Sequence, residues 1–171
     1  MFKIKSEVFE HGDVIPEKYA EKNSVSPPLY WENIPNGTKS FALAVTDPDL
    51  PQEFKFPRIF AHWLIYNIPA SSKSLPEGVS PMGNLPEGSK ELNSDFVTFG
   101  IPGYGMGYAG PWPPDSAHRY VFTIYALKVE TINIYESADY VQFVKEVLPN
   151  TITAASLIGY YGPAKNPLPS S

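Results

Sequence analysis

S-F-A-L-A-V-T, residues 40–46, is apolar almost throughout. A short apolar run bounded by turn residues is typical of a β-strand buried on both faces. Asn36 and Gly37 form a hairpin-type turn just before it. A proline-rich segment ends the run abruptly after Thr46. The stretch therefore predicts a fully buried strand.

Two further apolar runs, residues 58–68 and 118–128, predict two more buried strands. Successive side chains of a strand point to opposite faces. In the first run we expect one face to hold Phe60, His62, Leu64 and Tyr66, and the other Ala61, Trp63 and Ile65. In the second run we expect one face to hold His118, Tyr120, Phe122 and Ile124.

The remaining patterns add one strand and one helix. Strict alternation at the start of residues 2–9 predicts a half-buried strand. Residues 137–148 have apolar side chains at helical spacing, with Ser137 as the expected N-cap. Residues 69–99 are expected to be loop, and residues 154–161 a short strand or helix. These elements predict a β-sandwich with peripheral helices.

Length and composition favour a single domain over residues 1–171, with a loose proline-rich tail over 162–171. No apolar run approaches a membrane span, and the N-terminus lacks the apolar core of a signal peptide. With no cysteine in the chain, we expect a cytoplasmic protein without disulfide or thiolate chemistry. The net charge of −5 argues against a nucleic-acid partner.

Three polar side chains stand out beside these apolar strands. Asp47 and Asp49 flank a proline directly after the first buried strand. An Asx-type turn explains one carboxylate well and two less well. His62 lies inside an apolar strand, where an unpaired polar group costs about 1–3 kcal/mol. It therefore needs a partner, and a structural role is the simpler interpretation.

The loop G-I-P-G-Y-G-M-G-Y-A-G-P-W-P-P-D-S-A-H-R-Y, residues 100–120, has five glycines in its first eleven residues and then three prolines. Glycine allows a close backbone approach to a ligand, and proline fixes the local backbone. The loop delivers Tyr108 and His118 to the mouth of a buried strand. It indicates either a binding site or a surface loop beside a satisfied strand histidine.

Four motifs together resemble the phosphatidylethanolamine-binding protein family, above all its bacterial and archaeal Raf-kinase-inhibitor-like branch. They are D-P-D-x-P at 47–51, H-W-L-I-Y-N-I-P at 62–69, Y-x-G-P-x-P-P at 108–114 and H-R-Y at 118–120. N-x-V-S-P-P-L-x-W at 23–31 and P-x-G-T-K-S at 35–40 fit the same branch. The resemblance covers residues 2–161, with every motif in the expected order.

The resemblance implies an antiparallel two-sheet β-sandwich with a small pocket for phosphate, acetate or the phosphoethanolamine head group. Its binding residues carry over to Asp47, Asp49, His62, Tyr108, Gly110, Pro111, Pro113, His118 and Tyr120. Histidine and tyrosine donate to phosphate oxygens, and we expect the aspartates to orient and charge the imidazoles or to bind the amine of a head group. The extra glycines leave open whether Tyr104 or Tyr108 lines the pocket, and the bulky Trp112 would narrow it.

The favoured function is a non-enzymatic, regulatory binding module for small anions or phospholipid head groups, without a cofactor. By resemblance, a kinase or serine protease is a possible target, and homodimerisation is expected. A hydrolase using the Asp/His cluster is one alternative, although the chain lacks a nucleophile-elbow serine and any cysteine. A zinc site assembled from three segments is another, and a purely structural hydrogen-bonded network is a third.

Overall fold

The computed structural model describes residues 1–22 and 24–162, and it confirms a mainly β fold. Eight strands follow one another along these residues: β1 (Lys3–Lys5), β2 (Leu29–Glu32), β3 (Ser40–Asp47), β4 (Phe60–Pro69), β5 (Ser74–Leu75), β6 (Lys90–Glu91), β7 (His118–Leu127) and β8 (Thr151–Tyr161). Three α-helical segments are α1 (Val79–Met82), α2 (Asp95–Thr98) and α3 (Tyr140–Val147). Most of the tail expected to be loose, residues 163–171, lies outside the described residues.

The strands form two antiparallel sheets. One has the order β1-β2-β5, and the other has the order β6-β4-β3-β7-β8. The predicted strand of residues 40–46 is β3, at the centre of the larger sheet, and every residue in it is buried. The antiparallel two-sheet sandwich implied by the family resemblance is thus confirmed.

β3 is buried on both faces because the larger sheet has a hydrophobic core on each side. Phe41, Leu43 and Val45 pack between the two sheets. Ala42 and Ala44 face the other way, into a second core that includes Phe143 of α3. The alternation of large and small side chains along β3 therefore matches a sandwich with one helix packed on its outside.

The C-terminal elements differ in detail from those expected. α3 begins at Tyr140, three residues after the expected N-cap Ser137, so that prediction was wrong. Asp139 caps the helix instead, because its carboxylate accepts from the amides of Val141 and Gln142 in a capping box. The segment predicted as a short strand or helix belongs to the 11-residue strand β8. Of the helices in residues 1–22 and 24–162, none has the length and apolar character needed to cross a bilayer.

A register shift between β3 and β4 changes the predicted faces of β4. Val45 pairs with Trp63, whereas the next residue, Thr46, pairs with Ala61, which leaves His62 as an extra residue. A bulge of this kind re-aims the side chains around it. Leu64 and Tyr66 accordingly pack under α3, while Trp63 packs between the sheets. The prediction that His62 shares a face with Leu64 and Tyr66 was wrong, because strict alternation stops at the bulge.

Candidate functional site

A cavity of about 380 Å³ opens where β3 ends and where β4 and β7 begin. Its polar residues are Asp47, His62 and Tyr120, one from each of these three strands. The other lining side chains are apolar: Leu50, Phe54, Phe56, Phe60, Phe96, Phe99, Ile101, Trp112, Pro113 and Pro114. The antiparallel order of the sheet thus brings three polar residues distant in sequence to one place, which we call the floor of the cavity.

A larger groove of about 930 Å³ runs between β1 and β8. Its polar lining side chains, such as Lys3 and Glu10, are half-buried or exposed. Buried polar groups beside a cavity are the usual mark of a small-molecule site. The smaller cavity is therefore the candidate site.

Asp47 is buried at the end of β3, and both of its carboxylate oxygens have partners. Oδ1 accepts from the amide of Asp49 over 2.7 Å, which is the predicted Asx-type turn. Oδ2 lies 2.7 Å from Nδ1 of His118. Asp47 therefore caps its own turn and also orients His118, the first residue of β7.

Two carboxylates hold the ring of His118. Nδ1 contacts Asp47, and Nε2 lies 2.7 Å from Oδ1 of Asp115. Burial lowers the pKa of His118, but the hydrogen bonds and charges of Asp47 and Asp115 outweigh it and place the pKa above its ordinary value. A protonated imidazole with both N–H groups donating accounts for this geometry.

His62 differs from His118 in both its hydrogen bonding and the direction of its pKa shift. Its Nδ1 lies 2.7 Å from the carbonyl oxygen of Ala109 and donates to it, since a carbonyl only accepts. Burial lowers the pKa of His62, although Asp47 and the Ala109 hydrogen bond oppose that effect. His62 is therefore a neutral imidazole with its proton on Nδ1. The ring lines the cavity, and its Nε2 has no hydrogen-bond partner among the described residues.

Tyr120 completes the floor. Its side chain is 0% exposed, and its ring packs edge-on against the ring of His62 with centroids 5.2 Å apart. Its hydroxyl has no hydrogen-bond partner within the described part of the chain. Burial, helped by the charge of Asp47, raises the pKa of this hydroxyl, so it remains protonated. Tyr120 is thus a buried donor in the lining of the cavity.

Asp49 lies beside this floor but outside the cavity lining. Its carboxylate accepts from the Arg119 guanidinium over 2.6 and 2.9 Å and from the Arg119 amide over 2.8 Å. The pair ties the end of β3 to the start of β7. Direct ligand contact by Asp49 stays a prediction, and Arg119, which the sequence reasoning missed, is its partner.

The glycine-proline loop is anchored to the N-terminal segment of the chain. Tyr108 donates its hydroxyl to the carbonyl of Tyr19 over 2.6 Å. The amide of Gly110 donates to Ser24 Oγ over 3.1 Å, and the carbonyl of Pro111 accepts from the amide of Glu21 over 2.8 Å. These contacts hold the loop, while ligand binding by Tyr108, Gly110 and Pro111 stays a prediction.

The aromatic walls were largely missed by the sequence reasoning. Tyr104 stacks on the wall residue Phe96 with centroids 4.2 Å apart, and neither Tyr104 nor Tyr108 is among the residues lining the cavity. Pro113, which was predicted, lines the cavity beside Trp112, whose side chain is 48% exposed at the rim. The cluster Phe54, Phe56 and Phe60, directly after the D-P-D-x-P motif, was the available signal.

The residues that the structure describes contain no set of side chains placed to bind zinc, the alternative raised from the sequence. No group of three or more histidine, cysteine, aspartate or glutamate side chains among them is placed to hold a metal ion. The neighbours Asp47, Asp115 and His118 are instead engaged with one another.

Comparison with known proteins decides the family. The family model described as phosphatidylethanolamine-binding protein matches residues 5–162. The chain belongs to the phosphatidylethanolamine-binding protein family. Among curated relatives in this family, a UPF0098 protein of Methanothermobacter thermautotrophicus is 35% identical over 92% of this chain and 97% of its own. The UPF0098 protein YbhB of Escherichia coli is 31% identical over 93% and 99% of the two chains.

Solved structures agree with this membership of the phosphatidylethanolamine-binding protein family. The crystal structure of Escherichia coli YbcL, described as a member of the mammalian PEBP family, is similar with a TM-score of 0.82 and 30% identity, covering 95% of this chain and 98% of that one. The PEBP homologue CT736 of Chlamydia trachomatis is similar with a TM-score of 0.79 and 29% identity, covering 95% and 97% of the two chains.

Proposed function

We propose that this protein is a binding module whose cavity holds a phosphate group, either free or as part of a phosphorylated head group. The observation on which the proposal rests is that Tyr120 lines the cavity and that its buried hydroxyl has no partner among the described residues. A buried unpaired hydroxyl costs about 1–3 kcal/mol, and a ligand oxygen that accepts from it removes that cost.

Three side chains complement a phosphate monoester: Tyr120 and His62 of the floor, and His118, which contacts the floor residue Asp47 but is not among the residues lining the cavity. Tyr120 donates to one phosphate oxygen. Neutral His62 offers Nε2 as an acceptor, which suits the P–OH group of a phosphate whose second pKa is about 6. Nε2–H of His118 is a third donor once it is released from Asp115. A phosphate group that combines acceptor oxygens with one titrating proton satisfies all three.

The apolar walls indicate that the phosphate belongs to an organic molecule. Five phenylalanines and Trp112 are among the residues that surround the floor. Ligand pockets generally combine such walls with a few polar groups that fix orientation. We therefore expect an organic phosphate to bind more tightly than inorganic phosphate.

Binding is proposed rather than hydrolysis because the lining offers a base without a nucleophile beside it. His118 is held on both ring nitrogens by carboxylates, whereas neutral His62 binds Ala109 through Nδ1 and keeps Nε2 as an acceptor. A base and a nucleophile within reach of each other are the signature of covalent catalysis, and no serine, threonine or lysine is among the lining residues of the described chain. A regulatory role, inhibition of a kinase or serine protease, and homodimerisation remain predictions drawn from the family resemblance.

Calorimetric titration with inorganic phosphate, methyl phosphate and phosphoethanolamine tests the proposal. We expect saturable binding of all three by the wild type and at least tenfold weaker binding by Tyr120→Phe. Tyr66→Phe is the matched control, because that hydroxyl is bound to the carbonyl of Ile134 and lies outside the cavity lining. Equal affinity for methyl phosphate and phosphoethanolamine would show that the site recognises the phosphate group alone. Tighter binding of phosphoethanolamine would show that the site also recognises the amine. Undetectable binding of all three would contradict the proposal.

A further inference from the structure

We propose that the carboxylate of Asp115 is a built-in competitor for the ligand, and that a phosphate group binds by displacing it from His118. This inference rests on the proposed function of the cavity and names a residue that the sequence motifs did not single out. It predicts that the protein exchanges one anion for another at a single ring nitrogen.

The contact that defines the competitor is the one between Asp115 and Nε2 of His118, at 2.7 Å. The other ring nitrogen is already bound to Asp47, also at 2.7 Å. A protonated imidazole has two donors and no more. A ligand anion that uses His118 must therefore take the place of one of these two carboxylates.

The two carboxylates differ in how easily they leave. Asp47 is buried, and its second oxygen is fixed by the amide of Asp49, which is itself held by Arg119. The side chain of Asp115 is 47% exposed, and the backbone amide of Ser116 also donates to it. Water can solvate a carboxylate at that position, whereas a displaced Asp47 would remain buried without its cation. Asp115 is thus the removable partner and Asp47 the permanent one.

The charges around the floor also favour exchange over simple addition. His118 faces the carboxylates of Asp47 and Asp115, while Asp49 is neutralised by Arg119 and His62 is neutral. A phosphate added with Asp115 in place would put a third anion around one imidazolium. Displacement of Asp115 into water keeps the number of anions at the ring at two and avoids most of that repulsion.

The position of Asp115 in the chain couples the exchange to the cavity rim. Pro113 and Pro114, the two residues before it, line the cavity, and so does Trp112. Movement of the Asp115 main chain away from His118 would therefore shift a segment that lines the cavity. Trp112 is half-exposed at the rim, so its fluorescence reports this movement.

The variant Asp115→Asn tests the inference, because an amide is nearly isosteric but has no charge with which to hold the imidazolium. We expect its affinity for inorganic phosphate, measured by calorimetry, to be about tenfold higher than that of the wild type, which corresponds to about 1.4 kcal/mol. Glu10→Gln removes one charge in the groove between β1 and β8 and is the matched control. Its phosphate affinity should stay within twofold of the wild type.

A second readout checks that the contact exists in solution. In nuclear magnetic resonance titrations the pKa of His118 should fall in Asp115→Asn, because one of the two charges that raise it is gone. Two results would overturn the role of Asp115 as a competitor while leaving the proposed function intact. One is saturable phosphate binding by Asp115→Asn with an affinity equal to or lower than that of the wild type, and the other is an unchanged pKa of His118. If neither the wild type nor the variant binds phosphate, both the proposed function and the role of Asp115 as a competitor are overturned.

Discussion

Ala109 is bound twice by His62. The amide of Ala109 donates to the carbonyl of His62 over 3.0 Å, and its own carbonyl accepts from Nδ1 of His62 over 2.7 Å. The bulge in β4 makes His62 an extra residue relative to the pairing with β3, which leaves its main chain free for this contact. The pair therefore fixes the tautomer of His62 and joins the glycine-proline loop to the floor of the cavity.

His62 and His118 should give opposite pH dependences of stability. Folding raises the pKa of His118 above its unfolded value of about 6.5, so its stabilisation is fully present below pH 6.5 and is lost as the pH rises through the folded pKa. Folding lowers the pKa of His62, so its protonation opposes folding as the pH falls below about 6.5.

Replacing His118 by Gln should consequently reduce the free energy of unfolding more at pH 6 than at pH 9. Denaturant unfolding at both pH values measures this difference, with His11→Gln, at an exposed position, as the control. Equal losses at both pH values would mean that the charge of His118 does not contribute to folding.

The two buried tyrosines at the site should respond differently to loss of the hydroxyl. Tyr108→Phe removes a hydrogen bond to Tyr19 and should lower stability by about 1 kcal/mol. Tyr120→Phe removes a hydroxyl with no partner among the described residues, so stability should be unchanged or higher by up to about 1 kcal/mol. Thermal unfolding without ligand compares them, and a clear loss of stability in Tyr120→Phe would indicate a hidden partner for that hydroxyl.

The Asp49–Arg119 pair should contribute modestly to stability. Asp49→Asn and Arg119→Gln should each cost about 0.5–1 kcal/mol, because the arginine side chain is half-exposed and water screens the pair. The double variant should cost less than the sum of the two, since both single changes remove the same interaction. Strictly additive losses in urea unfolding would show that the two side chains act independently.

Gly110 should tolerate no side chain. A Cβ atom there would lie 2.8 Å from the carbonyl oxygen of Tyr19 and 2.9 Å from Cα of Ala20, so the loop or the N-terminal segment must move. We expect Gly110→Ala to cost about 1–3 kcal/mol of stability. Gly105→Ala, where nothing lies within 4 Å of the added atom, is the control and should be nearly neutral. A neutral Gly110→Ala would mean that the loop is not packed as described.

Sequence patterns predicted the parts of this fold that depend on local regularity. The strands β3, β4 and β7 followed from apolar runs, and the shared face of Tyr120, Phe122 and Ile124 from simple alternation. Motif resemblance then brought the floor residues together, because a family fixes long-range pairing that no local pattern contains.

Features that depend on a single long-range contact were missed. The bulge at His62 arises from pairing with β3, and no residue type in β4 predicts it. The partner of Asp49 lies 70 residues away. Asp115 is only three residues from His118, yet its contact depends on the conformation of an irregular loop that glycine and proline make hard to predict.

The most direct test of the central claim is a nuclear magnetic resonance titration of ring-labelled histidines with methyl phosphate. The chain has three histidines, so His11 on the surface is an internal control for His62 and His118. We predict saturable shifts of both His62 and His118 with one dissociation constant, an unshifted His11, and loss of the response in Tyr120→Phe. If His62 and His118 stay unshifted at saturating ligand, or shift no more than His11, the claim that this cavity is a phosphate site is contradicted.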